Sequence, residues 1–294
     1  MNLAIFMPLL EQMDREGSDF IAPRPFASYI EEIGIRRKRD GNRTAACISI
    51  DFQENLRPEL RESKVMVFRC GIPLKQRNTH FGLARTKESW NDYFLIDNIN
   101  FDRSEFHLNQ KQREQLSAFQ VLPTLTEKSL VNFVLASGLI QDVLELDNPE
   151  EMLIPANCQS TFSFQFQPHN QIDTVWDHTN GQVEIDSLFF ARKGGERRLF
   201  LIESKHNIAQ KTLAKHKLVY PILSMRSELS NLGIPIMPIY MKTQTAESDL
   251  LVDITMCDFP HTSKSVSELR PNTYKHVYIK DFLESNIHSS KEHS

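Results

Sequence analysis

Two apolar segments joined by Lys193-Gly194-Gly195-Glu196 constrain this chain more than any other feature. Val183 to Ala191 and Arg198 to Ser204 are rich in Val, Ile, Leu and Phe, and the Gly-Gly pair between them suits a tight hairpin turn. Each segment also carries charge. Glu184 and Asp186 lie in the first, and Glu203 and Lys205 close the second. Residues two apart in a strand share a face, so Glu184 aligns with Asp186 and Glu203 with Lys205. Paired as a hairpin, the segments bring three carboxylates and one ammonium group to one end of a sheet. Val183, Ile185, Leu188, Leu199 and Leu201 supply the buried context.

The flanking sequence extends this hairpin into a larger pattern. Ile208 to Leu229 predicts a long helix, with Leu218, Ile222, Met225 and Leu229 at helical spacing and a kink at Pro221. Ile234 to Met241 predicts a strand whose prolines suit an end or an edge. A strand reached through a helix runs parallel to the strand before it. Upstream, Phe162 to Phe166 alternates as a half-buried strand does. Glu127 to Leu146 reads as helix, capped by Thr126 and broken at Gly138. The order from residue 127 is therefore helix, three-stranded meander, helix, strand. Leu250 to Cys257 and His276 to Phe282 predict two further strands.

The N-terminal part is less regular. Strands are expected at Ala45 to Ile50, Lys64 to Arg69 and Trp90 to Ile96, with Trp90, Tyr93 and Phe94 in a core. Residues 108–120 are polar and Gln-rich and read as a helix or linker. The chain is thus an α/β protein in two parts: a strand-rich domain over 1–120 and a second domain over 121–294. Arg36-Arg37-Lys38-Arg39 is a solvated loop or a phosphate-contacting one. His178 and Asp177 read as turn residues before the acidic strand.

The formal net charge of −4 does not favour nucleic acid, but a local basic groove can coexist with an acidic remainder. Cys47, Cys70, Cys158 and Cys257 are scattered without zinc spacing, as in a reduced, cytoplasmic protein. The apolar N-terminus lacks a basic leader region and reads as a docking segment, not a signal peptide. No apolar run reaches the ~20 residues that span a bilayer, so no membrane partner is expected.

Clustered carboxylates repel one another unless a cation lies between them. Magnesium suits such a cluster because it takes oxygen ligands and keeps several waters. A lysine beside them stabilises charge on a phosphate. The tripeptide alone is weak evidence, because Glu62-Ser63-Lys64 repeats the acid-x-Lys pattern. That second match precedes its strand and has no acidic partner on a neighbouring apolar strand. Glu203-Ser204-Lys205 follows Asp186 across the Gly-Gly turn.

Asp186, Glu203 and Lys205 in this setting resemble the PD-(D/E)XK nuclease superfamily, whose core is a helix, a three-stranded meander, a helix and a strand. Lys217-Leu218-Val219-Tyr220-Pro221 is similar to the helix after the lysine in a group of type II restriction-endonuclease-like proteins. The resemblance covers residues 127–260. It implies a restriction-endonuclease-like core and Mg2+-dependent hydrolysis of double-stranded DNA by a homodimer. By it, Asp186 and Glu203 bind the metal, the Ser204 carbonyl adds a ligand, Lys205 assists the attacking water and Glu184 is auxiliary. Ile185 stands where the superfamily often has proline, and Glu127 is either the candidate for its acidic residue on the first helix or a residue that simply favours the helix start. Lys215, His216 and Lys217 read either as phosphate contacts or as a solvated helix face, and His206 as a helper base or a surface residue. The alternatives are a repair or mobile-element nuclease with structure specificity, and a non-catalytic DNA-binding protein that keeps the fold.

Overall fold

The computed structural model describes residues 4–34, 45–97, 103–122, 124–230, 233–246, 248–280 and 282. It is a mixed α/β protein. In chain order its elements are α1 (Met7–Glu16), β1 (Phe20–Pro25), α2 (Phe26–Glu32), α3 (Pro58–Glu62), β2 (Val65–Arg69), β3 (His80–Arg85), β4 (Phe94–Ile96), β5 (Arg103–Phe106) and α4 (Gln110–Gln120). There follow α5 (Glu127–Ala136), α6 (Leu139–Val143), β6 (Ala156–Phe166), β7 (Trp176–Lys193), β8 (Glu196–His206), β9 (Thr212–Ala214), α7 (His216–Ser230), β10 (Ile236–Ala246), β11 (Asp249–Asp258) and β12 (Arg270–Ile279).

Seven strands form the main sheet, in the order β5-β12-β11-β10-β8-β7-β6. β6, β7 and β8 run as an antiparallel meander. The chain then crosses through α7 to β10, which lies parallel beside β8. Alternation along β8 sends Phe200 and Ile202 into the core that holds α5 and α6, and Leu201 into the core that holds α7 and the N-terminal part. The first residues belong to that second core: Ile5, Phe6, Leu9, Leu10 and Met13 are buried. Phe6, Phe26 and Tyr29 pack around the Phe81 ring of the three-stranded sheet β1-β3-β2. β4 pairs with β9 and β5 with β12, so ladders join residues on both sides of position 120.

Local sequence accounts for several boundaries. Thr126 Oγ1 accepts the Ser129 N–H at 3.2 Å and starts α5. Gly138, at φ 83°, breaks the helical run into α5 and α6. The polar stretch at 108–120 is a helix because Asn109 and Gln112 form a reciprocal capping box.

Elsewhere tertiary contacts override the local pattern. Ala45 to Ile50 is not a strand; Ala45–Cys47 form a 3-10 turn, and Cys47, Ile48 and Ile50 are buried with no ladder. Trp90–Asp92 is likewise a 3-10 turn, capped by Ser89, and only Phe94–Ile96 pair. The long helix begins at His216, not Ile208, because Thr212–Ala214 are drawn into pairing with β4. Pro221 lies inside α7 and denies the Lys217 carbonyl its i→i−4 donor. Asp177 and His178 belong to β7, not to a turn, and His178 is 1% exposed with its ring stacked on Phe164. The basic run at 36–39 lies outside the described residues.

Candidate active site

The β7–β8 ladder runs from Lys193 opposite Glu196 to Ser187 opposite Ile202, and stops there. One step further, the Ser204 N–H donates not to a main-chain carbonyl but to Asp186 Oδ2, at 2.8 Å. Beyond this point β8 stays paired with β10 as far as His206, and β7 stays paired with β6. The two strands therefore part at the acidic pair while each is pinned on its outer side. A bulge coincides with the parting: Ile185 to Leu188 on β7 oppose only Cys158 to Ala156 on β6. An extra residue of this kind re-aims a side chain, here next to Asp186.

Glu203 is buried beside Asp186 and is 2% exposed. Lys205 Nζ donates to Glu203 Oε1 at 2.7 Å and to the Ser204 carbonyl at 2.9 Å. Glu127, the first residue of α5, places Oε1 3.8 Å from the same nitrogen. From the other side Lys217 of α7 brings Nζ to 3.7 Å from Glu203 Oε1 and 3.5 Å from Asp51 Oδ1. Glu184 lies before the bulge and pairs at 4.0 Å with Lys128 of α5. The structure thus gathers Asp186, Glu203, Ser204, Lys205 and Glu127, with Glu184 at the margin. Asp51 carried no local signal, because loop 48–51 is brought in by tertiary packing alone.

The electrostatics follow from burial. Loss of water pushes the Glu203 carboxyl up to about 7, against the pull of Lys217 and Lys205. Burial also raises Glu127, with Lys205 opposing. For Lys205 burial acts downward, but Glu203 and Glu127 outweigh it and hold its proton more firmly. Lys217 is raised in the same way by Glu203 and Asp51, against burial.

Other candidates separate. Lys215 is 1% exposed, so it cannot meet DNA phosphates. His206 bonds Thr243 Oγ1 through Nδ1 at 3.0 Å. Glu62-Ser63-Lys64 forms the end of α3, with Lys64 in the left-handed region at φ 54°.

Among the described residues, no three His, Cys, Asp or Glu side chains converge closely enough to hold a metal ion by themselves. The oxygens of Asp186, Glu203 and Ser204 nonetheless suit a hard cation that keeps water ligands. The Lys205 ammonium group already stands against two of them, Glu203 Oε1 and the Ser204 carbonyl, so positive charge is accommodated there. Among the described residues no helix is long and apolar enough to cross a membrane.

No curated protein and no solved structure matches the chain. Residues 93–275 match a family described as a domain of unknown function, DUF6997. The matched stretch holds Glu127, Glu184, Asp186, Glu203, Lys205 and Lys217, and leaves out Asp51. It spans more than half of the 294 residues, and the chain belongs to the DUF6997 family.

Proposed function

We propose that this protein is a magnesium-dependent DNA endonuclease of the PD-(D/E)XK type, acting as a type II restriction endonuclease. The observation that carries the reading is the parting of β7 and β8 at Asp186 and Glu203, with Lys205 on the same pair of oxygens a cation would take. The helix, meander, helix and parallel strand around it follow the order expected for a restriction-endonuclease-like core.

Asp186, Glu203 and the Ser204 carbonyl would hold the magnesium ion. When bound, it supplies positive charge to the phosphate and makes an attacking water more acidic. The remaining steps belong to the chain's own groups. Lys205, held protonated by Glu203 and Glu127, presents an ammonium group to the charge that builds on the phosphoryl oxygens. Asp186 is fixed by the Ser204 N–H, so one of its oxygens is oriented before substrate arrives. Lys217 holds Glu203 from the side of α7 and positions it. The water oxygen bonds to phosphorus, the P–O bond to the departing oxygen breaks, and the proton that the water gives up ends on that oxygen, leaving a phosphate monoester and a free hydroxyl. Cutting both strands of a duplex needs two such centres in opposite orientation, which a twofold homodimer provides.

Unmethylated plasmid incubated with magnesium tests the reading, with Asp186→Ala and Lys205→Ala as controls. Discrete fragments are expected from the parent alone. Absence of cleavage of any DNA form by the folded parent would sink it.

A further inference from the structure

A cavity of about 170 Å³ opens beside the cluster, where the N-terminal part, β7 and α7 meet. It is lined by Glu184 and by Lys217, whose Nζ lies 3.7 Å from Glu203 Oε1, so whatever fills it meets the lysine that holds Glu203. Three buried polar atoms of its lining residues, Arg69 Nε, His178 Nε2 and His216 Nδ1, have no hydrogen-bond partner among the described residues. A buried donor or acceptor left without a partner destabilises the protein, and a ligand that pairs with it recovers that cost.

The chemistry of the lining selects the ligand. Arg69 Nε is a donor, the Asp51 carboxylate is an acceptor, and the Gln182 amide is both. The His216 ring is neutral near pH 7, because burial and then Lys217 hold it down at about 3. Ile50, Val183, Pro221 and the Tyr220 ring complete the wall. A phosphate presents only acceptors and would meet the carboxylates of Asp51 and Glu184. A flat heterocycle presents donors and acceptors on one edge and apolar faces on either side. The volume is below the ~300 Å³ at which drug-sized pockets begin, and so fits one ring system rather than a nucleotide.

We infer that this cavity takes a single unstacked nucleobase of the substrate and seats it beside the cleavage centre. The inference rests on the nuclease reading for its substrate class. An extruded base fixes the phosphate that follows it, and its pairing edge is read by the groups that otherwise lack partners.

The test compares equilibrium binding of the full chain to short single-stranded homopolymers of each base and to an abasic oligonucleotide of equal length, with EDTA present. At least one base-bearing strand is expected to bind tenfold or more tightly than the abasic strand. Gln182→Trp, at an exposed strand position on the cavity mouth, and Arg69→Gln are expected to bring that ratio towards one without moving abasic binding. A thermal melt checks that both variants fold. Equal binding of abasic and base-bearing strands by the parent would overturn the inference in favour of a phosphate subsite. So would a ratio that survives Gln182→Trp. Asp186-dependent cleavage is scored separately. Base preference without cleavage removes the nuclease reading and leaves the pocket, and cleavage without base preference does the reverse.

Discussion

Lys215→Met should stabilise the protein, and the gain should depend on pH. Lys215 is 1% exposed at the entry to α7. Burial, and then the charge of Arg270, lowers its ammonium pKa from 10.5 to about 7, with Asp92 and Cys257 opposing. The folded-state pKa thus lies below the unfolded one. The penalty is absent above 10.5, grows as pH falls from there, and is complete below 7. Each pKa unit corresponds to about 1.4 kcal/mol, so the penalty is about 4 kcal/mol at pH 7 and about 1 kcal/mol at pH 10. Replacing Lys by Met removes the titration and keeps a long flexible side chain in the same space. Methionine also changes packing, but that contribution does not vary with pH. The informative quantity is therefore the slope: the variant's advantage should shrink by about 3 kcal/mol between pH 7 and pH 10 in urea unfolding. An advantage that stays flat across this range would refute the argument, because it would mean that Lys215 finds a charge partner or water in the folded state.

Three further outcomes are expected. Magnesium should raise the melting temperature of the parent but not of Glu203→Gln in differential scanning fluorimetry; equal shifts in both would move the metal away from Glu203. Thr126→Ala should cost about 1 kcal/mol in chemical denaturation, because the first turn of α5 loses the acceptor for the Ser129 N–H. Gly181→Ala should destabilise the protein by more than that, since a Cβ there would lie 2.0 Å from the buried His178 ring and the ring is held by Phe164. A melting temperature within a degree of the parent would show that the ring can move aside.

The sequence was most readable where structure is local. The β7–β8 hairpin, the break at Gly138 and the cap at Thr126 each rest on a few neighbouring residues, and each stands where the pattern puts it. Strand alternation also put Asp186, Glu203 and Lys205 together. It could not show the bulge, which depends on the register of β6 against β7, nor the main-chain bond from Ser204 to Asp186 that replaces the ladder. Loop 48–51 shows the opposite limit. Its apolar alternation imitates a strand, and only long-range packing makes it a wall of the site.

Lys217 is where this long-range packing reaches Glu203, and its removal should reveal the connection. Its Nζ lies 3.7 Å from Glu203 Oε1 and 3.5 Å from Asp51 Oδ1. At an effective dielectric near 20, two unit charges at this distance attract by about 4 kcal/mol, part of which Lys205 retains once Lys217 is gone. Lys217→Met should therefore raise the already elevated carboxyl of Glu203. An acid whose folded pKa lies above its unfolded value keeps its stabilising proton at low pH and loses that contribution as pH rises through the folded pKa. The cost of Lys217→Met should consequently be small at pH 5, where Glu203 is protonated with or without Lys217, and larger at pH 8. Asp51→Ala should change stability little at either pH, because Asp51 is 43% exposed and its pair with Lys217 is screened by water. Urea unfolding of both variants at the two pH values separates these effects. A Lys217→Met cost that does not change with pH would show that the ammonium group packs beside Glu203 without holding its charge.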